Sequence, residues 1–232
     1  MSNHISTQFD TELNSVSSRI MELGGLVETQ IAVAIDALAG FDNEQADAVL
    51  DMERRVNRME VEIDHALTTV IARRQPTARD LRLLIAISKT TTNLERVGDE
   101  ASKIARMVKS IALRGAPRAL PSFELKIAAG LAARLIRRAL DAFARLDVDA
   151  AVGILREDSQ IDAEFAGFLR KLVTYMMEDP RTISASLDLL FVAKALERIG
   201  DHATNIAEFI IYIVKGADVR HTRLDEIEST LY

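Results

Sequence analysis

One eight-residue string recurs in this chain with six of its eight residues unchanged. Leu94-Glu95-Arg96-Val97-Gly98-Asp99-Glu100-Ala101 is matched by Leu196-Glu197-Arg198-Ile199-Gly200-Asp201-His202-Ala203, and Ile104-Ala105 by Ile206-Ala207, at a single offset of 102 residues (95 to 197). Upstream, Pro76 and Pro180 are 104 apart, so a two-residue gap brings the wider context into line. A long segment repeated once demands that each half build the same kind of unit. The unit is helical. Leu84, Ile87, Leu94, Ala101, Ile104 and Val108 recur at helical spacing, as do Phe165, Phe168, Leu169, Leu172, Val173 and Met176. No run alternates strictly, Trp is absent and aromatic residues make up only 5%, against the composition of strand-rich folds. The predicted class is all-α.

Helix breaks give the organisation. Gly40-Phe41-Asp42-Asn43 separates two periodic stretches, with Asp42 or Asn43 as the cap of the second. Arg74-Gln75-Pro76-Thr77 ends that second helix, since the residue before a proline is pushed out of the helical region. Thr77 and Asp80 then have the spacing of a capping box. Residues 114–121 carry two of the four prolines and form the predicted linker. Leu146-Asp147-Val148-Asp149 divides the next pair, and Asp179-Pro180 opens the last helix with Asp179 as cap. The expected architecture is two tandem pseudo-repeated three-helix bundles, residues 1–115 and 116–232, six helices in all, able to stack end to end.

Composition removes whole classes of function. Net charge is −6, from 29 basic and 35 acidic residues, so a general nucleic-acid binder is not expected. Without cysteine there is no disulfide framework, thiolate metal site or cysteine nucleophile. No apolar run approaches the length of a membrane span, and residues 1–4 lack a secretory pattern. These features predict a soluble, cytoplasmic protein that reaches a membrane only through partners.

The repeated string itself carries chemistry. Glu95 and Asp99 are four apart and share a helix face, as do Glu197 and Asp201. Like charges at that spacing cost an isolated helix about 0.2–0.5 kcal/mol, and Gly98 or Gly200 in a helix interior about 1 kcal/mol more. The ordinary compensation is salt bridging by Arg96, Arg198 and Lys103. The sharper one is a hard cation such as Mg, Mn, Ca or oxygen-ligated Fe. The preceding helix then supplies Glu53 and Asn57 in the first half, Asp158 and Asp162 in the second. Asn57 lacks a charge, so the second half is expected to bind the tighter ion. Arg96 and Arg198 offer forked donors to a partner carboxylate. Catalysis finds no support: Glu62-x-x-His65 occurs once, His4, His65 and His221 have no triad or zinc spacing, and no phosphate loop or nucleophile elbow is present. His202 reads as a surface or interface residue. A carboxylate-metal enzyme and a purely structural helical dimer are the rival readings.

Several stretches together resemble the PhoU family of phosphate-transport accessory proteins: Arg74-Gln75-Pro76-Thr77, Asp80-Leu81-Arg82, Leu94 through Asp99, Tyr175 through Ile183, and Ala195 through Ala207. The resemblance runs in order over nearly the whole chain. It implies two three-helix bundles in a cytoplasmic negative regulator of the phosphate-starvation response. Its expected partners are a phosphate-specific ABC transporter, through its ATPase, and a phosphate-sensing histidine kinase, and a homodimer is expected. The family's acidic motif falls on Glu95/Asp99 and Glu197/Asp201, and through it some members resemble metal-cluster proteins.

Overall fold

The structure, a computed structural model, describes residues 7–115 and 122–231; residues 1–4 and most of the expected linker, 116–121, fall outside these. Helices α1 (Thr7–Gly40), α2 (Asn43–Arg74) and α3 (Ala78–Leu113) form the first half. Helices α4 (Ser122–Arg145), α5 (Val148–Glu178) and α6 (Ile183–Lys215) form the second, and a short α7 (Leu224–Leu231) follows. Among the described residues every regular element is helical, as expected, with seven helices in place of six. The seventh is anchored by Ile227, buried, and by Arg156 on α5, which donates to Glu228 at 2.7 Å.

The repeat extends to the turns. Phe41 and Leu146, equivalent at an offset of 105, both take left-handed backbone (φ 49 and 51). The next residue caps the following helix in each half: Asp42 accepts from the N–H groups of Glu44 and Gln45, and Asp147 from that of Ala150. Asp179 accepts from the Arg181 N–H at 3.0 Å, with Pro180 opening a single 3-10 turn that leads into α6. Thr77 departs from the expected capping box. Its hydroxyl donates to the Asp80 carboxylate at 3.0 Å and caps no backbone N–H, because the shorter Asp holds the hydroxyl on itself.

The two bundles lie side by side, not end to end. Helices α3 and α6 are buried around more than one face, which a single three-helix bundle cannot satisfy. They therefore cover each other, antiparallel, along most of their length. Opposed residues add to 298: Asn93 accepts from Asn205 at 3.1 Å, Glu100 meets Arg198 at 3.3 Å, and Lys89 lies 5.5 Å from the Phe209 ring centre. At the far end Arg114 pairs with the buried Asp188 at 3.0 Å. Helices α1 and α4 make a second antiparallel contact, with Arg137 donating to Glu28 at 3.0 Å and Gly24 admitting the Leu140 side chain.

By length and composition one helix, α1, could cross a membrane, contrary to the expectation that no segment reaches that threshold. Its Val16, Ile20, Leu23, Val27, Ile31, Ala34 and Leu38 repeat at helical spacing and are all buried in the bundle core. Each fully buried aliphatic side chain of this kind contributes about 1.5–3 kcal/mol. Midway along this stripe sits Gln30, wholly buried. Its amide nitrogen lies 3.2–3.3 Å from the Val49 carbonyl, the Gly98 carbonyl and the Ser102 hydroxyl, so one side chain ties α1 to α2 and α3.

Candidate functional site

Positions 98 and 200 also add to 298. The glycines of the two motif copies therefore sit at the same level of the antiparallel α3–α6 pair, and a pseudo-two-fold axis passes between them. In another register the copies would lie at opposite ends of the molecule; in this one they are neighbours. Close to the axis lie Arg96 and Arg198, with side chains 62% and 51% exposed. Glu100 is buried there and accepts from Lys103 at 2.6 Å and from Arg198 at 3.3 Å. His202 occupies the position equivalent to Glu100 and faces Asn93, its Nδ1 2.9 Å from Asn93 Oδ1. Because the Asn93 amide nitrogen donates to the Lys89 carbonyl, Oδ1 must accept, so the neutral imidazole carries its proton on Nδ1. His202 is thus an interface residue.

The acidic residues flank this basic centre. On one side Glu95 and Asp99 of α3 face α2, where Glu53 and Glu60 project. Burial, then repulsion from neighbouring carboxylates (Asp64 for Glu60, Asp99 for Glu95, Glu53 for Asp99), raises the carboxyl pKa values of Glu60, Glu95 and Asp99. On the other side burial, then Glu197 and Asp162, raises that of Asp201. Among the described residues the salt bridges to Asp99 and Asp201 anticipated from spacing do not form. Arg96 lies 3.6 Å from Glu95, while Arg198 and Lys103 turn to Glu100, leaving Asp99 and Asp201 without an ion pair among the described residues. Glu100 outcompetes them because a buried carboxylate needs compensation more than a half-exposed one.

The two rows are not copies. Glu60, seven residues after Glu53 on the same face of α2, joins the first row and was not singled out from the sequence. Its counterpart in the second half is Phe165, whose ring lies 5.4 Å from Lys194 Nζ. Lys194 also pairs with Glu197, a cation with no equivalent in the first half, where Thr92 stands. Asn57 is exposed at the rim, and Glu53 is 3.6 Å from Arg106. The Asp158 side chain lies outside the described residues. Among those described, no three His, Asp or Glu side chains converge closely enough to hold a metal ion in their present rotamers.

Burial, opposed by Glu100 and reinforced by Arg96, Arg198 and Lys103, lowers the His202 pKa to about 4. A histidine protonated more easily unfolded than folded destabilises the fold as pH drops. Its penalty is absent above the unfolded pKa near 6.5, grows as pH falls and levels off below about 4. The raised carboxyls act oppositely, gaining stability on acidification. We therefore expect His202→Gln to remove an acid loss on the order of 2–3 kcal/mol between pH 7 and pH 4. Denaturant titrations of both proteins across that range measure it.

A tandem pair of three-helix bundles, joined antiparallel so that two copies of an acidic motif share one face, defines a class of helical-repeat protein. The PhoU domain matches this chain twice, at residues 20–108 and 125–210. A Burkholderia protein described as a phosphate-specific transport system accessory protein PhoU homolog is 49% identical over 225 residues, 97% of this chain and 96% of the relative. The Escherichia coli K12 phosphate-specific transport system accessory protein PhoU is 46% identical over 232 residues, covering 100% and 95%. The crystal structure of PhoU from Pseudomonas aeruginosa superposes with a TM-score of 0.87 at 44% identity, over 90% of this chain and all of that one. The chain belongs to the PhoU family.

Proposed function

We propose that the chain restrains the phosphate-starvation response as an accessory protein of a phosphate-specific transport system. It works as an adaptor between the ABC transporter, through its ATPase, and a phosphate-sensing histidine kinase, on the cytoplasmic side and as a homodimer. It is not itself an enzyme. Family membership and the names of its relatives support the transport-system role. The observation that carries the adaptor reading is the face about the pseudo-axis: exposed arginines and unpaired carboxylates, held twice at a local cost to the fold. The test is co-purification of the tagged chain from phosphate-rich cells, with the transporter ATPase and a kinase identified by mass spectrometry. Deletion should switch phosphate-scavenging genes on in rich medium. Unchanged expression would favour a purely structural dimer, and turnover by the purified chain with added metal would favour an enzyme.

The crowding of carboxylates about Glu95, Asp99 and Asp201, whose pKa values are raised by burial and then by neighbouring charge, favours a second property, binding of a hard divalent or iron cation, since a bound cation offsets both. The donors suit such an ion: Glu53, Glu60, Glu95 and Asp99 in one row, Asp162, Glu197 and Asp201 with Asp158 in the other. Glu60 supplies the charge that Asn57 lacks, and Lys194 already neutralises Glu197. The basis for expecting the tighter ion in the second half is thereby lost. We expect Asp99→Ala to lose more metal than Asp201→Ala when protein prepared without chelator is assayed by element analysis. Absence of metal after addition of Mg, Mn or Fe would return these residues to an electrostatic role alone.

A further inference from the structure

The groove between α5 and α6 is lined differently from its counterpart between α2 and α3. Lys194 Nζ, 5.4 Å from the centre of the Phe165 ring, sets the register of α5 against α6. Followed toward the turn at 179–182, that register brings Leu169 level with Leu190, Val173 with Leu187 and Met177 with Ile183. In the first half the matching positions are polar. Asp64 stands for Leu169, Ser88 for Leu190 and Lys89 for Phe191, and the Ser88 hydroxyl donates to Asp64 at 3.2 Å. One turn on, Thr68 stands for Val173. The duplicated fold thus holds the same groove twice, once polar and hydrogen-bonded, once apolar.

Among the described residues nothing closes the apolar copy. Val173 and Met177 on α5 and Ile183, Leu187 and Phe191 on α6 are all exposed, Phe191 by 59% and Met177 by 79%. Together they leave about 500 Å² of apolar surface to solvent, toward the upper end for the largest patch on a monomeric protein. A standard interface takes about 800 Å² from each partner, and in homodimers about two-thirds of it is apolar, so the patch supplies what one copy must contribute. Two-fold pairing sets a surface against itself. Pairing through the first groove would bring the like charges of Glu60, Asp64 and Lys89 together about the axis. The five exposed side chains of the second groove carry no charge and are complementary to their own copies. Deepening the homodimer reading, on which it rests, we infer that two copies of this chain pair about a two-fold axis through the α5–α6 groove of the second half.

The test is sedimentation equilibrium of the full-length chain over a wide range of concentration. We expect the unaltered chain to be a dimer at micromolar concentration. Phe191→Asp and Val173→Asp should each raise the dimer dissociation constant at least about a hundredfold, since each places two buried charges in one interface. The two positions lie on different helices and outside the core, and helical circular dichroism checks that each variant is folded. Thr68→Asp, at the matching place in the first groove, should leave the dimer intact. A dimer that both folded variants form as tightly as the unaltered chain, or one that Thr68→Asp weakens equally, would overturn this surface and leave the homodimer reading standing. An unaltered chain that stays monomeric at every concentration would overturn both.

Discussion

Alkaline phosphatase and other phosphate-scavenging genes should be expressed in phosphate-rich medium by cells whose only copy of this chain carries Glu197→Ala with Asp201→Ala. A restraining protein, once weakened, gives constitutive expression and not loss of induction. Two carboxylates removed from a docking face at about 1 kcal/mol each weaken binding by roughly tenfold to thirtyfold, enough to empty a micromolar complex in the cell. The fold should tolerate the change. Burial, then repulsion from Glu197 and Asp162, raises the Asp201 pKa, so removing its charge does not cost the fold. Lys194 loses Glu197 but keeps the Phe165 ring. Helical circular dichroism and melting temperature close to the parent protein are the required controls. If the folded variant represses as well as the parent, the docking surface lies elsewhere.

Gly98→Val should destabilise the protein by about 3 kcal/mol, lowering the melting temperature by roughly 6–12 °C. On an open helix face, replacing glycine usually helps. Here a Cβ would stand 2.9 Å from Gln30 Oε1 and 3.3 Å from a Val56 methyl, so it strikes a wholly buried polar side chain and the facing wall of α2 together. Gln30 cannot retreat without leaving the carbonyls of Val49 and Gly98 and the Ser102 hydroxyl. Shortening it is the diagnostic. Gly98→Ala with Gln30→Ala should be less damaging than the sum of the single changes, a coupling read from denaturant unfolding of the four proteins. Simple additivity would show that the glycine serves another purpose.

Periodicity, the two proline-marked breaks and the repeated string made the helices and the duplication legible, down to Asp42, Asp147 and Asp179 as caps. What could not be read was how the halves meet. Helical period reports that a face is apolar but not which helix covers it, so side-by-side packing, set by the breadth of the buried surface on α3 and α6, stayed hidden. The choice of salt-bridge partners was hidden for the same reason. Spacing paired Arg198 and Lys103 with the motif aspartates, whereas the buried Glu100 takes both: Lys103 from one turn along its own helix, and Arg198 from across the antiparallel junction, which spacing could not show. Glu60 had a usable signal, seven residues on from Glu53. Lys194 had one as well, three residues before Glu197, but only the Phe165 ring across the bundle shows why it stays there.

The antiparallel α3–α6 junction is the contact that two separate three-helix chains would make about a true two-fold axis. Joining such chains end to tail changes the thermodynamics of the pair. Assembly no longer depends on concentration, since each half meets the other at the effective concentration set by a short tether. It also releases the sequence from having to match itself. In a homodimer a carboxylate placed near the axis appears twice, so Glu100 would confront a second Glu100. Within one chain the mirrored place could become His202, and the place of Glu60 could become Phe165. The fused pair thus keeps the shape of a symmetric dimer while its two sides are free to specialise.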